Sequence, residues 1–152
     1  MKNSSIRTEV IDLVRQELSK RLELLLHQAD QLNESLHSEQ KGSAGDKHET
    51  SRSMVQLELE KLGKQILECE NNLQLLSKIS AFHAKPTIQS GSIIQTTSGI
   101  FFIGIGLGSL RFKEETIYVI SSQAPVAKLI IGLISGDTFH WNNDVITVQE
   151  IL

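Results

Sequence analysis

Residues 18–36, LSKRLELLLHQADQLNESL, and residues 55–73, VQLELEKLGKQILECENNL, decide how this chain folds. In the first stretch, Leu18, Leu22, Leu25, Ala29, Leu32 and Leu36 follow one another by steps of 4, 3, 4, 3, 4. In the second, Val55, Leu59, Leu62, Ile66, Cys69 and Leu73 repeat the same steps. Alternation of four and three keeps one stripe of a helix facing a single partner helix, the pattern of a coiled-coil seam. Taken in opposing order, the residue numbers of the two stripes always add to 91, so the seams mirror each other about the point between Gly45 and Asp46. That symmetry predicts a long antiparallel helical hairpin with Gly45-Asp46-Lys47-His48-Glu49 at its tip.

Working outward, the first helix is expected from about Ser5 to Gln40, roughly 50 Å at a 1.5 Å rise per residue. Its early apolar positions Ile6, Val10, Ile11 and Val14 slip against the strict heptad by a step of four between Leu18 and Leu22, a stutter near the hairpin base. Gly42-Ser43-Ala44-Gly45 is the expected turn. The second helix should begin near Asp46 and end near Phe82, before Pro86. Gly63 in its interior costs about 1 kcal/mol relative to alanine.

Composition changes at Lys85-Pro86. Before it there is no proline, and glycine occurs only at 42, 45 and 63. After it come seven glycines, a second proline and four of the five phenylalanines. Two domains are therefore expected: residues 1–84 as the hairpin and residues 85–152 as a small globular domain. In the latter, Thr87–Thr97, Ile100–Leu107, Thr116–Ser121, Thr138–Trp141 and Val145–Leu152 read as strands. Pro125–Ile134 reads as one helix with proline at its first position. The fold class is α+β: a coiled-coil hairpin followed by an antiparallel sheet of about five strands with one short helix.

The 152 residues carry a formal charge of −3, so no overall basic field directs the chain to nucleic acid. The lone cysteine, Cys69, excludes a disulfide framework and fits a reducing cytoplasm, with its side chain as a small hydrophobe on the seam. The longest apolar runs are too short to span a bilayer. No Ser/His/Asp or Cys/His constellation is apparent.

Asp46 and Glu49 have two compatible readings. Asp at the N-cap with Glu three residues later is a capping box, which satisfies orphan amides and suits the helix dipole. The same two carboxylates could share a hard cation such as Mg²⁺, but two oxygens cannot complete an octahedral shell. Such a metal would need ligands from a partner or a substrate phosphate. His48 lies between them and by default is a solvated histidine, with no second His or Cys at ligand spacing. Lys47 and Arg52 are solvated charges by default. Gly104-Ile105-Gly106-Leu107-Gly108 lacks phosphate-loop spacing and is expected to be a bulged or closely packed strand. Phe139 and Trp141 read as core or hairpin-pair residues.

A Gly-Asp-x-x-Glu tip on a two-helix coiled coil, followed by a small α+β domain, resembles the Gre family of bacterial transcription elongation factors. Pro125-Val126-Ala127-Lys128-Leu129-Ile130-Ile131-Gly132, then Gly136-Asp137 and a closing hairpin, is similar to that family's C-terminal signature. The resemblance spans nearly the whole chain. It implies an FKBP-like C-terminal domain that docks on RNA polymerase, and a hairpin inserted into the polymerase secondary channel. There Asp46 and Glu49 would help hold a Mg²⁺ shared with the polymerase active site, and the polymerase would hydrolyse its own backtracked transcript. Lys47, His48, Pro125 and Lys128 are the polymerase-binding positions it implies. The chain would have no catalysis and no cofactor of its own, and would meet nascent RNA only indirectly. Where the family's tip continues Asn-Ala-Glu-Tyr, this chain has Thr50-Ser51-Arg52-Ser53, and Ala124 replaces the family's serine before the docking proline.

Three other readings stay open. A secondary-channel regulator would bind polymerase without stimulating cleavage. An FKBP-like prolyl isomerase or chaperone would need an aromatic-lined pocket, and the domain's few aromatics argue against it. A structural coiled coil would oligomerise through the hairpin, whereas the self-complementary seam and the polar Arg15 and Ser80 at its base favour a monomer.

Overall fold

The computed structural model describes residues 2–40 and 46–152, with side chains for residues 5–38 and 50–152. Two long helices open the chain, α1 at Lys2–Gln40 and α2 at Asp46–Ser80. The expected turn at residues 42–45 lies outside the described residues. Contacts divide the chain into two compact units: residues 1–13 with 77–152, and residues 14–76.

In the unit formed by residues 14–76, heptad positions supply most of the buried residues, with Val14 and Leu76 buried at its base. Leu25, Leu62 and Cys69 are buried in one cluster, against which Leu22, Ala29, Leu32 and Ile66 pack. The cluster thus draws on both helices, and all seven members come from the two stripes. Other apolar side chains on these helices, such as Leu24, Leu57 and Leu67, are exposed. They lie off the stripe, and isolated exposed leucines of this kind are ordinary.

The other unit is built on six strands. These are β1 at Ile93–Thr96, β2 at Gly99–Ile103, β3 at Gly108–Phe112, β4 at Glu115–Ile120, β5 at Thr138–Trp141 and β6 at Asp144–Ile151. Their order in the sheet is β3-β4-β2-β1-β6-β5. β2 and β4 run parallel, and every other neighbouring pair is antiparallel. The sheet is therefore mixed and has one strand more than expected. The extra strand is β3. The chain leaves β2 at Gly104, passes through residues 105–107 and re-enters the sheet at Gly108. β4 then inserts between β3 and β2. Gly104-Ile105-Gly106-Leu107-Gly108 is accordingly a connection between strands and not one bulged strand. Gly104 N–H donates to the Ile120 carbonyl at 2.8 Å and Leu107 N–H to the Val119 carbonyl at 3.1 Å. Both Gly104 and Gly108 have positive φ, which glycine adopts without strain.

The single short helix of this unit, α3 at Pro125–Ile130, is shorter than the apolar spacing predicted. Ile131 is already extended, and Gly132 takes φ +97°. Gly132 N–H then donates to the Ile88 carbonyl at 2.8 Å, and Ile88 N–H to the Leu133 carbonyl at 2.9 Å. Pairing with the segment around Ile88 replaces the helical bonds that would have carried α3 to Ile134. Ile88 is thus tied to the segment after α3, while Gly91 N–H donates to the Ile103 carbonyl at 2.7 Å and Ile103 N–H to the Ser92 carbonyl at 3.0 Å, just ahead of β1.

Alternation along the strands puts Ile94, Phe101, Ile103, Ile146 and Val148 on one face, in a core with Val126, Ala127 and Ile130 of α3. Ile93, Ile100, Phe102, Ile117 and Val119 alternate with these and are equally buried. The sheet therefore buries both faces. Within the same unit, Val10 and Ile11 of α1 and Ile79 of α2 are also buried. Arg7 and Glu9 of α1 bond to Leu152 and to Lys113, in the turn between β3 and β4.

A β-bulge marks β6. Gln95 of β1 faces Glu150, but Thr96 faces Val148, so Gln149 is the extra residue. Ser135 Oγ donates to the Gln149 carbonyl at 2.7 Å, which satisfies the oxygen the bulge displaces. Asn142 and Asn143, both at positive φ, turn the chain from β5 to β6. Two consecutive such residues make the turn type that matches strand twist, and asparagine tolerates it well.

Candidate functional site

Asp46, Lys47, His48 and Glu49 form the first residues of α2. Their side chains lie outside the described residues. Immediately after them, Thr50, Ser51 and Ser53 are exposed and Arg52 is half-buried. Among the described residues no group of three or more His, Cys, Asp or Glu side chains could hold a metal ion.

Pro125 and Lys128 share α3. Proline occupies the first turn, where its missing N–H costs nothing, because helix-initiating amides have no intrahelical acceptor. The N-cap, Ala124, makes no side-chain cap bond. Val126, Ala127 and Ile130 face the core, which leaves Pro125, Lys128 and Leu129 exposed. Lys128, an apolar Leu129 and a rigid proline thus stand together on the outer face of a helix anchored by its inner one.

No family model, curated protein or solved structure matches this chain. Its chemistry must therefore be taken from its own side chains.

Four of the six aromatic residues of the C-terminal part are brought together. Phe101 stacks at a tilt on Tyr118, with centroids 4.9 Å apart, and meets Phe139 and Trp141 edge to face at 5.9 and 5.4 Å. Tyr118 and Trp141 close the group edge to face at 5.2 Å. Such packing fills space, and each pair contributes about 0.5–1.5 kcal/mol beyond its buried area. Phe139 is buried and Trp141 half-buried, as their core reading implied.

Cys69 is buried on the helix stripe, and burial pushes its thiol pKa up, against the opposing pull of nearby Arg21. The thiol form dominates at neutral pH, so the residue is a packing group and a poor nucleophile.

Arg7 was not singled out by any sequence signal, yet it makes the longest-range polar contacts in its unit. Its Nη2 donates to the Ile79 carbonyl at 2.8 Å and to the Phe82 carbonyl at 3.3 Å. Its Nη1 donates to the Leu152 carbonyl at 3.3 Å. Burial lowers the guanidinium pKa from its ordinary value. Arg7 also lines a cavity of about 270 Å³, together with residues 82–85, 89–92 and 151–152. An isolated arginine on an amphipathic helix gives no hint in sequence of partners 72 and 145 residues away.

Proposed function

We propose that this chain is a Gre-type transcription elongation factor. In this reading it is a cytoplasmic monomer that docks on bacterial RNA polymerase through an FKBP-like C-terminal domain, with Pro125 and Lys128 on the docking surface. An antiparallel coiled coil carries Asp46 and Glu49 into the secondary channel, with Lys47 and His48 beside them against polymerase or RNA phosphates. Two carboxylates are too few to hold Mg²⁺ alone, so they act only where the polymerase supplies the remaining ligands. There they steady the second of two metal ions, which positions and activates the water that attacks the transcript phosphodiester. The bond is cut by the polymerase; this chain contributes half a metal site.

The observation that carries the reading is the seven-residue cluster of Leu22, Leu25, Ala29 and Leu32 with Leu62, Ile66 and Cys69. Those are the residues that pairing about the 45/46 midpoint would bring together. α2 beginning at Asp46 is in keeping with both carboxylates standing at the turn. Among the described residues no helix is long and apolar enough to cross a membrane.

The test uses backtracked elongation complexes with purified protein. Wild type is expected to accelerate cleavage, and Asp46→Asn to lose that acceleration by about 100-fold or more while still competing for the polymerase. Binding and inhibition without cleavage by the wild type would favour the regulator reading, for which the Thr50–Ser53 departure is the specific motive. Failure to bind polymerase at all would overturn both.

A further inference from the structure

The cavity beside Arg7 is lined by three basic side chains, Arg7, His83 and Lys85, and by no Asp or Glu side chain. The Ile79 and Phe82 peptide carbonyls satisfy N–H groups of Arg7 without cancelling its charge. The three bonds also hold the fork in place, so a ligand meets a fixed cation without the cost of ordering a long side chain. Lys85 and His83 belong to an exposed segment, from which Lys85 adds a second charge and His83 ring N–H donors. Ser90 supplies a hydroxyl to the lining. Phe82, 61% exposed, and Leu152 offer apolar surface for an uncharged part of a ligand. At about 270 Å³ the space is just below the usual range for drug-sized ligands, roughly 300–1,000 Å³, which suits a small one.

We propose that this cavity binds a small phosphomonoester carrying an aromatic or apolar group, with Arg7 and Lys85 holding the phosphate and Phe82 facing the rest. Phosphate is favoured over carboxylate by charge and by valence. A phosphomonoester is close to a dianion at neutral pH and presents three acceptor oxygens. Two cations, an imidazole and a hydroxyl around one space match that demand better than they match a carboxylate with two oxygens. Neither Pro125 nor Lys128 lines the cavity, so the site is independent of the surface assigned to polymerase docking.

The experiment is an amide and arginine side-chain NMR titration of the full chain. The probes are phenyl phosphate, inorganic phosphate, benzoate and benzyl alcohol. Phenyl phosphate is expected to shift the Arg7 Nε–H and the amides of residues 82–92 saturably, with a Kd below about 1 mM. Inorganic phosphate and benzoate should bind more weakly, and benzyl alcohol should produce no saturable shift. Because Lys85 is exposed, its replacement should leave the rest of the spectrum unchanged. Lys85→Ala is expected to weaken phenyl phosphate about threefold, and Lys85→Glu about tenfold or more. The proposal is overturned if phenyl phosphate gives no saturable shift in this range, if benzoate or benzyl alcohol binds as tightly, or if Lys85→Glu leaves the affinity unchanged. Loss or retention of transcript cleavage has no bearing on any of these outcomes.

Discussion

At Gly99 the sheet leaves no room for a side chain. A Cβ there would lie 2.5 Å from the Thr116 carbonyl oxygen, and the residue's φ of +124° is one that L side chains rarely adopt. The obstacle is backbone of the neighbouring strand, which cannot swing away. The turn is also fixed from its other side, since the buried Thr96 Oγ1 donates to the Gly99 carbonyl at 2.8 Å and accepts from Ser98 N–H at 3.1 Å. Gly99→Ala is therefore expected to destabilise the unit by about 2–4 kcal/mol, read as a drop in the urea midpoint. The exposed Lys113–Glu9 ion pair at 3.2 Å is a contrast. Both partners remain in contact with water, and removing either should change stability by no more than about 1 kcal/mol.

At the scale of elements, Gly63 in α2 is the opposite case to Gly99. A Cβ at Gly63 meets nothing within 4 Å. The helix bears the flexibility of glycine there without a packing return, so Gly63→Ala should stabilise the chain by about 0.5–1 kcal/mol. An upward shift of the urea midpoint checks this, and a shift the other way would mean that the backbone at 63 is under a constraint the packing does not express. The two helices were legible because their information is periodic and local: a strict heptad stripe needs nothing beyond itself to be recognised. β5 and β6 were legible for a similar reason, being short apolar alternations joined by an asparagine-rich turn. β3 was not. Its residues Gly108, Ser109 and Arg111 are exposed, and only Leu110 and Phe112 are half-buried, so it carries little apolar alternation to read. It is an edge strand held by backbone pairing to β4, and backbone pairing leaves almost no trace in side-chain pattern. The overextension of α3 has a related cause. Apolar spacing continued through Leu133 and Ile134, but the decision was taken by Gly132 and by the amide and carbonyl of Ile88, more than 40 residues earlier.

At the scale of the whole molecule, the candidate tip is inferred from its place between the stripes, and its side chains lie outside the described residues. The Arg7 cavity was not legible in the sequence, because it is assembled from the early part of α1, the segment that follows α2, the residues ahead of β1 and the end of β6. Composition divides the chain at Lys85-Pro86, but contacts group residues 1–13 and 77–80 with the sheet. The second face of that sheet contains Ile93, Ile100, Phe102, Ile117 and Val119, all essentially inaccessible to water. A fragment of residues 85–152 would lack Arg7, Val10, Ile11 and Ile79, and is expected to show no cooperative thermal transition or one far below that of the full chain. A fragment with a midpoint equal to that of the full chain would show that the helical ends add nothing to the sheet. The contact between Arg7 and Leu152 also sets an order on manufacture. Its two ends are 145 residues apart, so at about 5–20 residues per second a ribosome needs roughly 7–30 s after making Arg7 before the carbonyl it binds exists. Through that interval the unit that buries Val10 and Ile11 is unfinished. Heptad pairing, whose partners are made much sooner, is the first folding the newborn chain can complete.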